Sequence, residues 1–336
     1  MSCPRCDREA VEREMLSPLA ALAERSRGRA RVEEECDIRT CYQRDIDRII
    51  YNRAFRRLKH KTQVFLQPEG DHYRTRLTHT LEVSRIGRTI ARCLRLNEDL
   101  TEAIALGHDL GHTPFGHAGE RVLNEILGAE GGFRHNEQSV RVVERLEREG
   151  QGLNLTYEVK NGMLCHTGSV VPDTLEGRII RIADRIAYVN HDLEDAIRAG
   201  ILRELDVPDE ITCAFGSKLS ERVNSLVRDV ITESGKVGDI ALSSQAAFAF
   251  EAFRDFMFAS VYRNKKAKSE ESKVGGILEG IYRHYVANPD ELPEEYRRIS
   301  AQEGLPRAVG DYISGMTDKY AIYKYRELFI PKGFAL

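Results

Sequence analysis

The chain has 336 residues, 41% hydrophobic and 31% charged, and a formal net charge of −3 at pH 7. That length buries a real core, in one large globular domain or a domain with an extension, and the negative balance argues against a protein wrapped in nucleic acid. No run of 18 apolar residues occurs, and the opening MSCPRCDREAVERE is charged where a signal peptide is apolar. The sequence therefore predicts a cytoplasmic protein with no membrane partner.

Residues 1–40 are charged and broken by Ser26-Arg27-Gly28, which predicts one helix and an irregular arm. Seven cysteines, an odd number over a long chain, do not form a disulfide framework, so free thiols are the default. Cys3-x2-Cys6 and Cys36-x4-Cys41 leave a tetrahedral zinc site as the alternative. The stretch 44–61, RDIDRIIYNRAFRRLKHK, holds seven Arg or Lys against two Asp. It reads as a triphosphate funnel, an interface binding an effector nucleotide, a single-stranded DNA groove or a basic face in water, with nucleotide phosphates favoured for Arg53, Arg56 and Arg57.

Beyond it, spacings of three and four dominate and strand signals are nearly absent, so the fold class is all-α. A first helix carries Leu77, Thr80, Val83, Ile90 and Leu94, with His79 beside the stripe. A second, NEDLTEAIALGHDLG, is capped by Asn97, buries Leu100, Ala103, Ile104 and Leu106, and ends at Gly111, placing His108 and Asp109 in its last turn. A third steps through Leu175, Ile179, Ile182, Ile186, Val189, Leu193 and Ile197. On another face it aligns Asp184, Tyr188 and Asp192 at i, i+4 and i+8, either a solvated face or one that meets something polar. The stretch 264–276 reads as a polar loop, and Pro208, Pro289, Pro293 and Pro306 mark turns between helices.

His79, His108-Asp109 and Asp184 offer two imidazoles and two carboxylates from three helices. Such a set suits a divalent ion with open positions, Mn²⁺, Fe²⁺ or Mg²⁺, rather than a closed structural zinc. Arg76, three residues before His79, projects from the same helical face and aims a guanidinium at whatever the ion binds.

The pattern His79…His108-Asp109…Asp184 is the H…HD…D signature of the HD superfamily. With RTRLTHTLEV (74–83), GHDLGHTPFGHAGE (107–120), FRHNEQS (133–139) and ADRIAYVNHD (183–192), the chain resembles the deoxynucleoside triphosphate triphosphohydrolases, in their bacterial dGTPase-like branch. The resemblance runs from about Tyr42 to Asp195 and again over 311–321. It implies an HD-domain helical fold divided as an N-terminal arm (1–41), a catalytic core (42–200) and a C-terminal helical region (201–336) packed on that core as a single globular unit.

The implied reaction is metal-dependent cleavage of a dNTP, dGTP or a broader set, to deoxynucleoside and inorganic triphosphate. The ligands would be His79, His108, Asp109 and Asp184. His117 would be the proton donor with Glu120 as its carboxylate partner, and His112 and His135 would stand near the phosphates. Arg76, Tyr188 and Asp192 would bind phosphate and sugar, and Gln63 and Val64 would meet sugar and base. A homo-oligomer, a hexamer by resemblance, and an effector dNTP are implied partners. The alternatives are another HD phosphohydrolase, a nucleotidase or phosphodiesterase, and a non-catalytic HD nucleotide sensor.

Overall fold

A computed structural model describes residues 3–63, 73–264 and 270–332. Among them are sixteen α-helices and no β-strand, only isolated bridges pairing Arg29 with Thr156 and Thr62 with Thr75, so the all-α expectation holds. No helix among the described residues is long and apolar enough to cross a membrane. The described residues form two compact units. One is drawn from Met1–Tyr51, Thr78–His108 and Asn154–Lys268, the other from Asn52–Leu77, Asp109–Leu153 and Ser269–Leu336.

In the first unit the Glu98–Gly107 helix packs against the helices Cys41–Ile50, Tyr157–Cys165 and Leu175–Arg198. Side-chain caps start three of these four helices, while Thr156, ahead of Tyr157–Cys165, makes no cap hydrogen bond. Thr40 and Gln43 form a reciprocal capping box. Asn97 Oδ1 accepts the Leu100 N–H at 3.1 Å, and Thr174 Oγ1 accepts the Gly177 N–H at 3.1 Å. Leu100, Ala103, Ile104 and Leu106 are buried as their spacing predicts, as are Ile179, Ile186, Val189 and Leu193, while Ile182 is half-buried.

Buried polar contacts pin the N-terminal segment to this core. Arg29 forms an ion pair with Asp45 and donates to the carbonyls of Asn154 at 2.6 Å and Cys41 at 2.9 Å. Asp45 also accepts the N–H and hydroxyl of Thr156, at 2.8 and 2.7 Å. Glu176 accepts the main-chain N–H groups of Ala21 and Asn97 at 3.0 and 2.9 Å, and burial pushes its carboxyl upward. Cys41 turns inward, its thiol donating to the Ala23 carbonyl at 3.4 Å and pushed up to about 12, chiefly by burial.

The second unit has its own core. Leu123, Leu127, Leu278, Ile281, Val309 and Ile313 cluster where the Glu271–Ala287 helix packs on the helices Gly116–Ile126, Leu305–Ser314 and Asp318–Phe329.

Two expectations change. Residues 271–276 of the expected loop are the first turns of Glu271–Ala287, held by buried Val274 and an Arg121–Glu271 ion pair at 2.6 Å; 265–269 lie outside the described residues. The Glu98–Gly107 helix stops with His108 as its C-cap, before Gly111. Gly111 instead lies against the His135–Arg141 backbone, where its N–H donates to Ser139 Oγ at 2.9 Å and an added Cβ would come within 2.2 Å of the Ser139 nitrogen. Within the basic stretch several side chains have partners of their own. Arg44 and Arg48 pair with Glu33, Arg53 with Glu295 and Arg57 with Glu147, and Lys61 donates to the carbonyls of His112 and Ser314.

Asp45→Ala removes the more buried of the two carboxylates on the Arg29 guanidinium, Glu33 staying 3.0 Å from its Nε, and leaves the Thr156 N–H and hydroxyl without their acceptor, and the expected cost in denaturant unfolding is about 1–3 kcal/mol. The double variant Arg29→Met with Asp45→Leu is expected within about 2 kcal/mol of the parent. Equal losses in both would show that shape, not charge, holds the arm.

Candidate active site

Three helices of the first unit bring imidazoles to one carboxylate. Asp184, in the middle of Leu175–Arg198, lies with Oδ1 3.0 Å from His79 Nε2 and 3.8 Å from His108 Nε2. His108 caps Glu98–Gly107, and His166 caps Tyr157–Cys165 in the same way. Each places Nδ1 against the carbonyl three residues back, Ala105 at 2.6 Å and Met163 at 2.7 Å. A carbonyl only accepts, so Nδ1 carries a proton in both rings, and the lone pair a metal would use is the one on Nε2.

The helices reach this closeness through glycines at their crossing. A Cβ on Gly107 would meet Met163 Sδ at 2.7 Å, and one on Gly162 would meet the Ile104 side chain at 2.5 Å. The rings of His108 and His166 stand edge to face with centroids 4.9 Å apart, and the ligand atoms of His108, His166 and Asp184 all lie within 4.8 Å of one another. Burial alone would raise the Asp184 carboxyl, but the hydrogen bond from His79 Nε2 holds it below the usual carboxylate range. Imidazole lone pairs facing an ionised carboxylate fit a divalent cation, and each Nδ1–H on a main-chain carbonyl is the outer hydrogen bond that orients a ligating histidine.

Further along the same helix, Tyr188 is half-buried and its hydroxyl is pushed up to about 12 by burial and by Asp184. Asp192 accepts the Tyr262 hydroxyl at 2.7 Å. The polar stripe of this helix is thus turned into the protein, not spread on a solvated face.

The second unit holds the guanidinium and the remaining histidines. Arg76 Nη1 donates to Asp109 Oδ2 at 2.9 Å, with both residues buried. Its Nε and Nη2 are buried with no hydrogen-bond partner among the described residues. The other Asp109 oxygen lies 3.2 Å from His112 Nε2. Burial, Arg76 and His135 drive the His112 pKa far down against the opposing pull of Asp109, so the ring is neutral. His112 stacks on His135 at 4.1 Å between centroids.

Glu120 gathers the rest. It accepts the His135 main-chain N–H at 2.8 Å and lies 2.9 Å from His135 Nδ1 and 3.2 Å from His117 Nδ1. Burial would raise its carboxyl, but the hydrogen bonds from His117 and His135 hold it far below the ordinary range. His117 is 65% exposed, three residues before Glu120 on the first turn of Gly116–Ile126. The turn is set by Phe115, at φ +64°, whose N–H donates to Asp318 at 2.9 Å. Lys61 anchors the His112 carbonyl behind it.

Of the residues expected from the sequence, His79, His108, Asp184, Tyr188 and Asp192 lie in the first unit, and Gln63, Arg76, Asp109, His112, His117, Glu120 and His135 in the second. Gln63 Oε1 is buried with no partner among the described residues; Val64 lies outside them. His166 and Tyr262 were not singled out. The available signal for His166 was that it ends an apolar helix, as His108 does.

The HD domain family model matches residues 76–189, and the phosphohydrolase-associated domain model matches 240–327. The deoxyguanosinetriphosphate triphosphohydrolase-like protein of Caldanaerobacter subterraneus subsp. tengcongensis is 56% identical, over 96% of this chain and 95% of its own length. The protein of the same description from Clostridium perfringens (strain SM101) is 50% identical over 96% and 97%, and that from Geobacter sulfurreducens 40% over 96% and 97%. With its H…HD…D residues on an all-α frame, the chain belongs to the deoxyguanosinetriphosphate triphosphohydrolase-like family of HD-domain phosphohydrolases.

Proposed function

We propose that the chain hydrolyses deoxynucleoside triphosphates, dGTP among them, to the deoxynucleoside and inorganic triphosphate. The observation that carries the reading is the exposed His117 imidazole held by a half-buried, ionised Glu120, because a departing 5′-oxygen needs a proton donor that reaches into solvent-accessible space. The description of its relatives as deoxyguanosinetriphosphate triphosphohydrolase-like proteins supports the substrate class.

His79, His108, Asp109 and Asp184 are the proposed ligands, Asp109 following His108 directly in the chain. Mn²⁺, Fe²⁺ or Mg²⁺ held there would supply Lewis-acid polarisation of a phosphoryl oxygen and a lowered pKa for water. Arg76, with Nη1 on Asp109 and two buried nitrogens uncommitted, offers donors to the triphosphate. Neutral His112 gives its one N–H to Asp109, at 3.2 Å, and so holds that carboxylate in place without adding charge. As water attacks the α-phosphorus and the bond to the 5′-oxygen breaks, His117 gives its proton to that oxygen, and Glu120 stabilises the imidazolium before transfer. Asp192 and Tyr188 are proposed to meet sugar and phosphate, and Gln63 the sugar. The homo-oligomer and an effector dNTP belong to the same proposal.

The direct experiment incubates the protein with each dNTP and with GTP, with and without Mn²⁺ or Mg²⁺, and separates products by ion exchange. Nucleoside with intact triphosphate is the expected pair; monophosphate with pyrophosphate would place the cleavage elsewhere. His117→Ala is expected to keep the fold and bound metal while turnover falls about 10²–10⁴-fold. Undiminished turnover would assign the proton to another group. Glu120 has a folded pKa below its unfolded value of about 4.3, so its contribution to stability is full above that value and is lost as pH falls toward the folded pKa. Urea unfolding between pH 7 and 3 should therefore show a shallower acid loss for Glu120→Gln than for the parent.

A further inference from the structure

We propose that His166 is a third imidazole ligand of the divalent ion, beside His79 and His108, and that it biases the centre toward Mn²⁺ or Fe²⁺ over Mg²⁺. The inference rests on the metal-dependent reading above and adds a residue to it. His166 is buried, 3% exposed, and repeats the setting of His108. Both are C-caps of apolar helices, and both donate Nδ1–H to the carbonyl three residues earlier. Both therefore present Nε2 as the donor atom. The crossing at Gly107 and Gly162 sets the two rings side by side, and the ligand atoms of His108, His166 and Asp184 fall within 4.8 Å of one another.

A buried histidine with a merely structural role needs only the Met163 bond, whereas this one also faces a carboxylate and a second imidazole. Mg²⁺ prefers oxygen donors and retains its waters, while imidazole donors suit the later divalent ions. Three imidazoles against the carboxylates thus shift the balance away from Mg²⁺.

The test uses the full chain stripped of metal and titrated with Mn²⁺. Pulsed EPR of the bound ion counts coordinated imidazole nitrogens, and Mg²⁺ competition gives the selectivity. Three nitrogens are expected in the parent; two would overturn the proposal without any variant. His166→Asn retains an amide N–H for the Met163 carbonyl and removes the distal nitrogen. It is expected to bind one nitrogen fewer, to lose about tenfold or more in Mn²⁺ affinity and to narrow the Mn²⁺/Mg²⁺ ratio. An unchanged nitrogen count, affinity and ratio would make His166 a packing residue only. Asp184→Asn separates the two layers of argument: unaltered Mn²⁺ binding there would defeat the metal centre itself, whereas its loss alongside an indifferent His166→Asn would defeat this inference alone.

Discussion

The helices Glu98–Gly107 and Tyr157–Cys165 cross where each carries a glycine, and the chemistry of the first unit follows from that close approach. With Met163 over Gly107 and Ile104 over Gly162, there is no room for a Cβ on either residue without displacing the neighbour. The crossing lies near the C-terminal ends, so the cap residues His108 and His166 are delivered as a pair. Asp184 enters from a third helix that packs on both. Apolar burial drives the three helices together, and the glycines decide how close their ends come.

Two carboxylates with different neighbours divide the chemistry. Asp184 sits among imidazoles whose outer nitrogens are tied to main-chain carbonyls, which leaves acceptor atoms facing a negative charge and makes the centre attractive to a cation. Glu120 sits among donors: the His135 main chain, the His135 ring and the His117 ring. Its ionised state is enforced by them, and it in turn holds the His117 imidazole in place at the surface. The Arg76–Asp109–His112 chain is a third arrangement, in which one buried aspartate spans a guanidinium and an imidazole kept neutral by burial and by Arg76.

Much of this was legible in the residues themselves. His79, His108-Asp109 and Asp184 stand out because metal-capable side chains interrupt otherwise apolar helices, and Glu120 three residues after His117 is a helical pair that any folded context preserves. The caps at Thr40, Asn97 and Thr174 are local hydrogen bonds and need no tertiary partner. Gly111 was misleading, since a glycine after an apolar helix reads as its end, whereas here its missing side chain admits the backbone of another helix. Gly275 and Gly276 read as loop for the same reason, yet docking of Val274 into a core keeps them helical. Arg44, Arg48 and Arg57 read as a charged surface because their carboxylate partners, Glu33 and Glu147, lie far along the chain or in a different element.

What the amino-acid sequence determined by itself was the helical class, the caps, the i, i+3 and i, i+4 pairings and a set of residue types that could hold a divalent ion. These depend on interactions within a turn or two of helix, whose geometry is the same wherever the helix lies. The tertiary structure alone decided that His166 joins His108, that Asp192 is met by Tyr262, and that Lys61 of the basic stretch meets the carbonyls of His112 and Ser314. Each of those rests on a partner from 58, 70 or as many as 253 positions away, brought near by burial of apolar faces that carries no local mark of which residues it will join.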